Sequence, residues 1–186
     1  MQATAMNATL KSVVLVAVAT AVLLLVPLLA MRFTGEVQWT ALDFAVAGAM
    51  LFGAGLSFVL LARGARNIAY RLAAAIAVMA ALMLVWGNLA VGLIGSENNP
   101  ANLMYAGVIA VEIIGALAAR GRARGMSRAL LATAIAQALV AVIALVGGLG
   151  ASEPPGWLGI LVLNGFFFAL FAAAAWLFAR AARSKR

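Results

Sequence analysis

Ser12-Val-Val-Leu-Val-Ala-Val-Ala-Thr-Ala-Val-Leu-Leu-Leu-Val-Pro-Leu-Leu-Ala-Met31 runs for 20 residues without a charge. A helix rises about 1.5 Å per residue, so about 20 apolar residues cross a hydrocarbon core about 30 Å thick. Five more runs of this kind follow: Ala41–Ala62, Leu72–Ile94, Leu103–Ala119, Ala129–Leu149 and Leu158–Ala179. The reading is therefore an all-α polytopic membrane bundle of six transmembrane helices. The short connections predict antiparallel neighbours within one domain spanning 1–186.

Composition agrees. Of the 186 residues, 67% are apolar and 10% charged, against roughly 45–50% and about 25% in an ordinary soluble domain. A soluble fold of this size exposes too much surface to hide that apolar mass. There is no cysteine and no histidine. That removes thiolate sites, disulfides, the commonest zinc and haem ligand and the serine-protease base. The only lysines, Lys11 and Lys185, lie outside the runs, so a Schiff base inside a span is excluded. No P-loop or dinucleotide fingerprint occurs. The expectation is a protein that is not an enzyme and holds no cofactor and no metal.

Charge sets an orientation. Lys11, Arg63, Arg66, Arg71, Arg120, Arg122, Arg124, Arg128, Arg180, Arg183, Lys185 and Arg186 fall on one side of the six runs. Arg32, Glu36, Asp43, Glu97 and Glu153 fall on the other. Basic residues of short loops stay cytoplasmic, so both termini are expected in the cytoplasm of a bacterial inner membrane. The net charge of +8 then calls for no nucleic acid. Arg120, Arg122, Arg124 and Arg128 read as a cytoplasmic loop touching anionic lipid headgroups. Trp39 and Trp157 fall at the outer boundary, Tyr70 and Trp176 near the inner one, where amphipathic rings anchor. The first run is longer than a secretory h-region, and Ala30-Met31-Arg32 is a poor cleavage site, so it reads as a retained span.

Small residues recur at four-residue spacing: Ala45, Ala49 and Gly53; Ala73, Ala77 and Ala81; Ala134 and Ala138; Gly165, Ala169 and Ala173. One helix face carries each set, and such faces let backbones approach closely in lipid. Phe166, Phe167, Phe168 and Phe171 are spread around the sixth run, meeting core or lipid. In the outer loops, Gly95–Asn102 and Gly150–Gly156 both read Ser-Glu followed by Pro, which hints at a repeated hairpin. Glu97, Asn98, Asn99 and Asn102 are placed to cap the start of the fourth span.

Glu112 is the one charge in the middle of a run. It lies about 13 Å deep at about 1.5 Å per residue. An ionisable group there marks a functional site by default. With no lysine or arginine inside a span, it is expected to carry its proton for much of the time or to face water. The alternative is a carboxylic acid serving as glue between helices. Asn88 and Asn164 are expected about 9 Å deep, about one turn above it, with Gln137 somewhat deeper. Tyr105 is seven residues before Glu112, on the same face. Asn88, Tyr105, Glu112 and Asn164 therefore form a possible polar cluster; Trp86 points to a different side.

The stretch Trp86-Gly-Asn-Leu-Ala-Val-Gly-Leu-Ile-Gly-Ser-Glu-Asn-Asn-Pro-Ala-Asn-Leu-Met-Tyr-Ala-Gly107 resembles small bacterial multi-pass membrane proteins without an assigned activity. The resemblance implies the multi-pass fold and transfers no functional residue. Two functions follow from the residues. One is a non-catalytic accessory or assembly subunit contacting other membrane proteins or itself. The other is a small transporter, or proton-coupled carrier or channel, using Glu112.

Overall fold

The computed structural model describes residues 2–63, 65 and 67–184, with side chains from Leu10 onward. Arg66, Lys185 and Arg186, which count toward the charge asymmetry, lie outside the described residues. The described residues form six α-helices: α1 (Gln2–Phe33), α2 (Ala41–Ala62), α3 (Ile68–Ala90), α4 (Met104–Ala119), α5 (Ala123–Val146) and α6 (Gly156–Arg183). All six, α4 together with the 3₁₀ turn Pro100–Leu103 that leads into it, are long and apolar enough to cross a membrane. This is an all-α, polytopic membrane protein. Its helices pack in two compact units, 1–63 and 64–186.

The first unit is the antiparallel hairpin α1–α2. Thr40 starts α2 where the sequence places it: Thr40 N donates to Asp43 Oδ2 at 2.7 Å and Asp43 N to Thr40 Oγ1 at 3.3 Å. This reciprocal pair satisfies two backbone donors that the first turn leaves free. The hairpin's seam lies beside Gly48 and Gly55, which back onto Leu24 and Val16. It does not use the stripe of Ala45, Ala49 and Gly53. Ala45 and Ala49 are exposed, and the space beside Gly53 is open.

The second unit holds α3–α6. α6 packs between α3 and α5, and α4 packs along α5. α3 presents Ala73, Ala74, Ala77 and Ala80, all buried, while α6 presents Phe167, Phe171 and Phe178. α3 thus meets α6 with a face of small side chains, and α6 brings large buried rings to the core. α4 and α5 approach closely. A methyl group on Gly115 would stand 2.7 Å from Ala129 Cβ, and one on Gly125 would stand 2.8 Å from Ala119 Cβ. These two contacts fix the antiparallel register of the pair.

Local chemistry moves several boundaries. Asn67 caps α3, its Oδ1 accepting from Ala69 N at 2.8 Å and Tyr70 N at 3.3 Å, so the helix begins ahead of Leu72. It stops at Ala90 instead of Ile94, because the chain turns at Gly92 with φ +71°, a conformation that favours glycine. α5 begins at Ala123. Arg124 and Arg128 therefore stand on its first two turns, and only Arg120 and Arg122 remain in the connection. On α6, Phe167 and Phe171 are buried, whereas Phe166, Phe168, Gly165, Ala169 and Ala173 are exposed. The stripe of small residues on α6, like that on α2, faces away from its unit's core.

Each end of the second unit is tied by a hydrogen bond across helices. Tyr70, in the first turn of α3, is buried. Its hydroxyl donates to Gly121 O at 2.8 Å and its ring meets Phe178 edge-on at 4.9 Å. This fastens the start of α3 to the α4–α5 turn, at what is here called the arginine end. At the opposite, amide end, Glu153 Oε2 accepts from Ser96 N at 3.0 Å. Gly95 and Gly150 touch backbone to backbone there.

Candidate functional site: a buried polar column in α4, α5 and α6

The buried polar side chains among the described residues are Asn102, Glu112, Thr133, Gln137 and Asn164. All belong to the second unit. Three helices supply one network. Tyr105 Oη on α4 donates to Asn164 Oδ1 on α6 at 3.1 Å, and Gln137 Nε2 on α5 donates to the same oxygen at 2.8 Å. Asn164 Nδ2 in turn donates to Ile160 O, one turn back along α6, at 2.8 Å. The Asn164 amide thus has both ends satisfied and holds α4, α5 and α6 at one level. In a low-dielectric interior such a network is strong when complete and costly when broken.

Glu112 occupies the same buried face of α4 as Tyr105, Val108 and Ala119. It is 9% exposed, and its Oε2 has no hydrogen-bond partner among the described residues. Gln137 Oε1 is likewise buried and unpartnered. Thr133, one turn from Gln137, spends its hydroxyl proton on Ala129 O at 3.0 Å. It therefore offers no proton to a neighbouring carbonyl or carboxyl oxygen.

Asn88 is not part of this network. Because α3 ends at Ala90, Asn88 stands in its last turn, and its Nδ2 donates to Asn102 O at 3.3 Å. The expected depth of about two turns assumed a helix running on to Ile94. Its Oδ1 is buried without a partner. The expected grouping of Asn88, Tyr105, Glu112 and Asn164 thus resolves into two places. Tyr105, Gln137 and Asn164 meet across three helices, with Glu112 deeper on α4, while Asn88 joins the loop at the amide end.

Asn102 organises that loop. Its Oδ1 accepts from Leu93 N and Ile94 N, both at 3.0 Å, and its Nδ2 donates to Ser96 O at 2.8 Å. Residues 92–95 are buried, so their backbone donors need acceptors inside the protein. The cap ahead of α4 is Asn99, whose Oδ1 accepts from Ala101 N at 3.0 Å at the head of a 3₁₀ turn, Pro100–Leu103. The sequence offered both asparagines as caps. Only the fold of Leu93–Ser96 back over Asn102 separates their roles.

Arg120, Arg122, Arg124 and Arg128 are all exposed at the arginine end. Arg180 lies over the ring of Trp176, 4.7 Å from its centroid, a cation–π pair. No group of three metal-ligating side chains is present among the described residues. No known family model, curated protein or solved structure matches the chain. What the chain is rests on its architecture: six apolar helices of membrane-crossing length, with a buried polar column in the last three.

Proposed function

We propose that the protein is a non-catalytic accessory or assembly subunit of a bacterial cytoplasmic membrane. In this reading its termini face the cytoplasm and it acts through helix faces that lie at the level of the lipid. The observation that carries this reading is the stripe on α2. Ala45, Ala49, Gly53 and Ser57 recur every four residues, three of them exposed and the fourth beside open space. Lipid supplies no hydrophobic drive between helices, so close backbone approach at small residues is a main source of association. Gly165, Ala169 and Ala173 give α6 a face of the same kind. At the arginine end, Arg120, Arg122, Arg124 and Arg128 suit anionic headgroups.

Gly53→Leu tests the reading, because the space beside Gly53 is open and the hairpin seam runs elsewhere. Purified in mild detergent, the protein is expected to retain a stoichiometric membrane partner, and a photo-crosslinker at Ala49 is expected to label it. Gly53→Leu should lose that partner while keeping its own fold. Recovery of the chain alone, unchanged by Gly53→Leu, overturns the proposal.

A second reading, a small proton-coupled carrier, is favoured by the buried Glu112 carboxyl with its unpartnered oxygen. Proton-coupled flux in liposomes, abolished by Glu112→Gln and partly kept by Glu112→Asp, would support it. Equal flux in wild type and Glu112→Gln removes it, because Gln cannot exchange a proton.

A further inference from the structure

We infer that Glu112 and Gln137 form a buried proton-binding site, in which the Glu112 carboxyl keeps a proton on Oε2 and donates it to Gln137 Oε1. Two observations meet here. Both oxygens are buried, and neither has a donor among the described residues. Unpaired buried acceptors are rare in folded proteins and each costs about 1–3 kcal/mol. Two acceptors cannot satisfy each other unless one of them carries a proton, and of this pair only a carboxyl can do so.

The helix register brings them within reach. Gly115 against Ala129 and Ala119 against Gly125 set Glu112 opposite Ala132, and Gln137 opposite Gly107. The two residues are thus offset by about five positions, or about 7.5 Å along the axes. Side chains lean toward the N-terminus of their own helix. In this antiparallel pair Glu112 therefore leans toward the amide end and Gln137 toward the arginine end, each toward the other. Gln137 is held in place because its Nε2 is already committed to Asn164 Oδ1, which leaves Oε1 as its free acceptor.

The proton completes a chain of bonds: Glu112 to Gln137, Gln137 to Asn164, and Tyr105 to Asn164. Among the described residues, Glu112 is the only charged side chain that is buried. The buried side chains in the middle of α5 are Thr133, Ala134 and Gln137, those in the middle of α6 are Asn164, Phe167 and Phe171, and those of α3 are Tyr70, four alanines and Leu84. Arg124, Arg128 and Arg180 are exposed. None of these buried side chains carries a positive charge to pair with an ionised Glu112, so the bound proton holds the seam closed. This holds whether the protein serves as a subunit or as a carrier.

Infrared spectroscopy of the full chain in liposomes tests it. At neutral pH the C=O stretch of a protonated carboxyl is expected, absent in Glu112→Gln. It is expected to move in Gln137→Leu, which removes the acceptor. Should Gln137→Leu not fold, by loss of helical circular dichroism, Gln137→Asn, one methylene shorter, is expected to move the same band. Absence of the protonated band at neutral pH overturns the proposal, and so does a band that neither Gln137 variant moves. Replacement of the band by a carboxylate signal on adding sodium at constant pH also overturns it, since the site would then hold a monovalent cation.

Discussion

Asn102 and Asn99 stand three residues apart and are chemically identical, yet their surroundings give them different weight. Asn102 holds two buried backbone donors and two carbonyls of the loop at the amide end. Asn102→Ala leaves Leu93 N and Ile94 N unpaired, at about 1–3 kcal/mol for each buried group. Asn99→Ala removes a single cap at the head of a 3₁₀ turn, worth about 0.5–2 kcal/mol. Thermal unfolding in detergent should therefore show the larger loss for Asn102→Ala. The reverse order would mean that the loop is not held by Asn102. Both asparagines are plain in the sequence ahead of an apolar run. Which one caps and which one staples was not legible, because the donors that Asn102 serves come from residues 93 and 94, before the turn.

The elements of the second unit are held at their ends by bonds that no periodicity announces. Tyr70 reads as an interfacial ring from its place beside a basic loop. In the fold it is buried and bonded to Gly121 O. Tyr70→Phe keeps the edge-on contact with Phe178 and loses only the hydroxyl bond. It should cost about 0.5–1.5 kcal/mol for the bond, with a further penalty where the carbonyl is left unpaired. Tyr70→Ala should cost more, adding the lost aromatic burial. Equal stabilities for wild type and Tyr70→Phe would show that the tie does not hold α3 to the α4–α5 turn. At the amide end, Gly150 has φ +72°, and a Cβ on it would stand 2.5 Å from Gly95 N. Gly150→Ala is therefore expected to destabilise through both strain and overlap, in the same thermal assay. A neutral result would mean that the two loops separate freely.

At the scale of the whole molecule, the distribution of charge governs placement in the bilayer. A reporter that works only in the cytoplasm is expected to be active when fused after the C-terminus. One that works only outside is expected to be active when inserted after Asn98, in an exposed part of the loop. The opposite result at either site would overturn the orientation. Replacing Arg122 and Arg124 with Gln is expected to lower the anionic lipid retained through purification, measured by mass spectrometry of bound lipid. Each basic residue near the surface is worth about 1 kcal/mol toward anionic lipid. Unchanged lipid would leave these arginines with a topological role alone.

The sequence by itself determined that the chain crosses a membrane six times as helices. That property depends on the length and hydropathy of each run, and every run contains its own backbone hydrogen bonds. It also singled out Glu112, Tyr105, Gln137 and Asn164, because polar groups are conspicuous in apolar runs. Tertiary structure decided which of them meet. Asn164 joins Tyr105 and Gln137 from two other helices, 59 and 27 residues away in sequence. Asn88 was lost to the loop when Gly92 turned the chain early. Tertiary structure also decided which small-residue stripes are used: that of α3 is largely buried against α6, while those of α2 and α6 stay open. Helix rotation sets such pairings, and in a helix apolar on every side no hydrophobic stripe in the sequence specifies it. In membrane helices that freedom is removed by packing shape and a few hydrogen bonds.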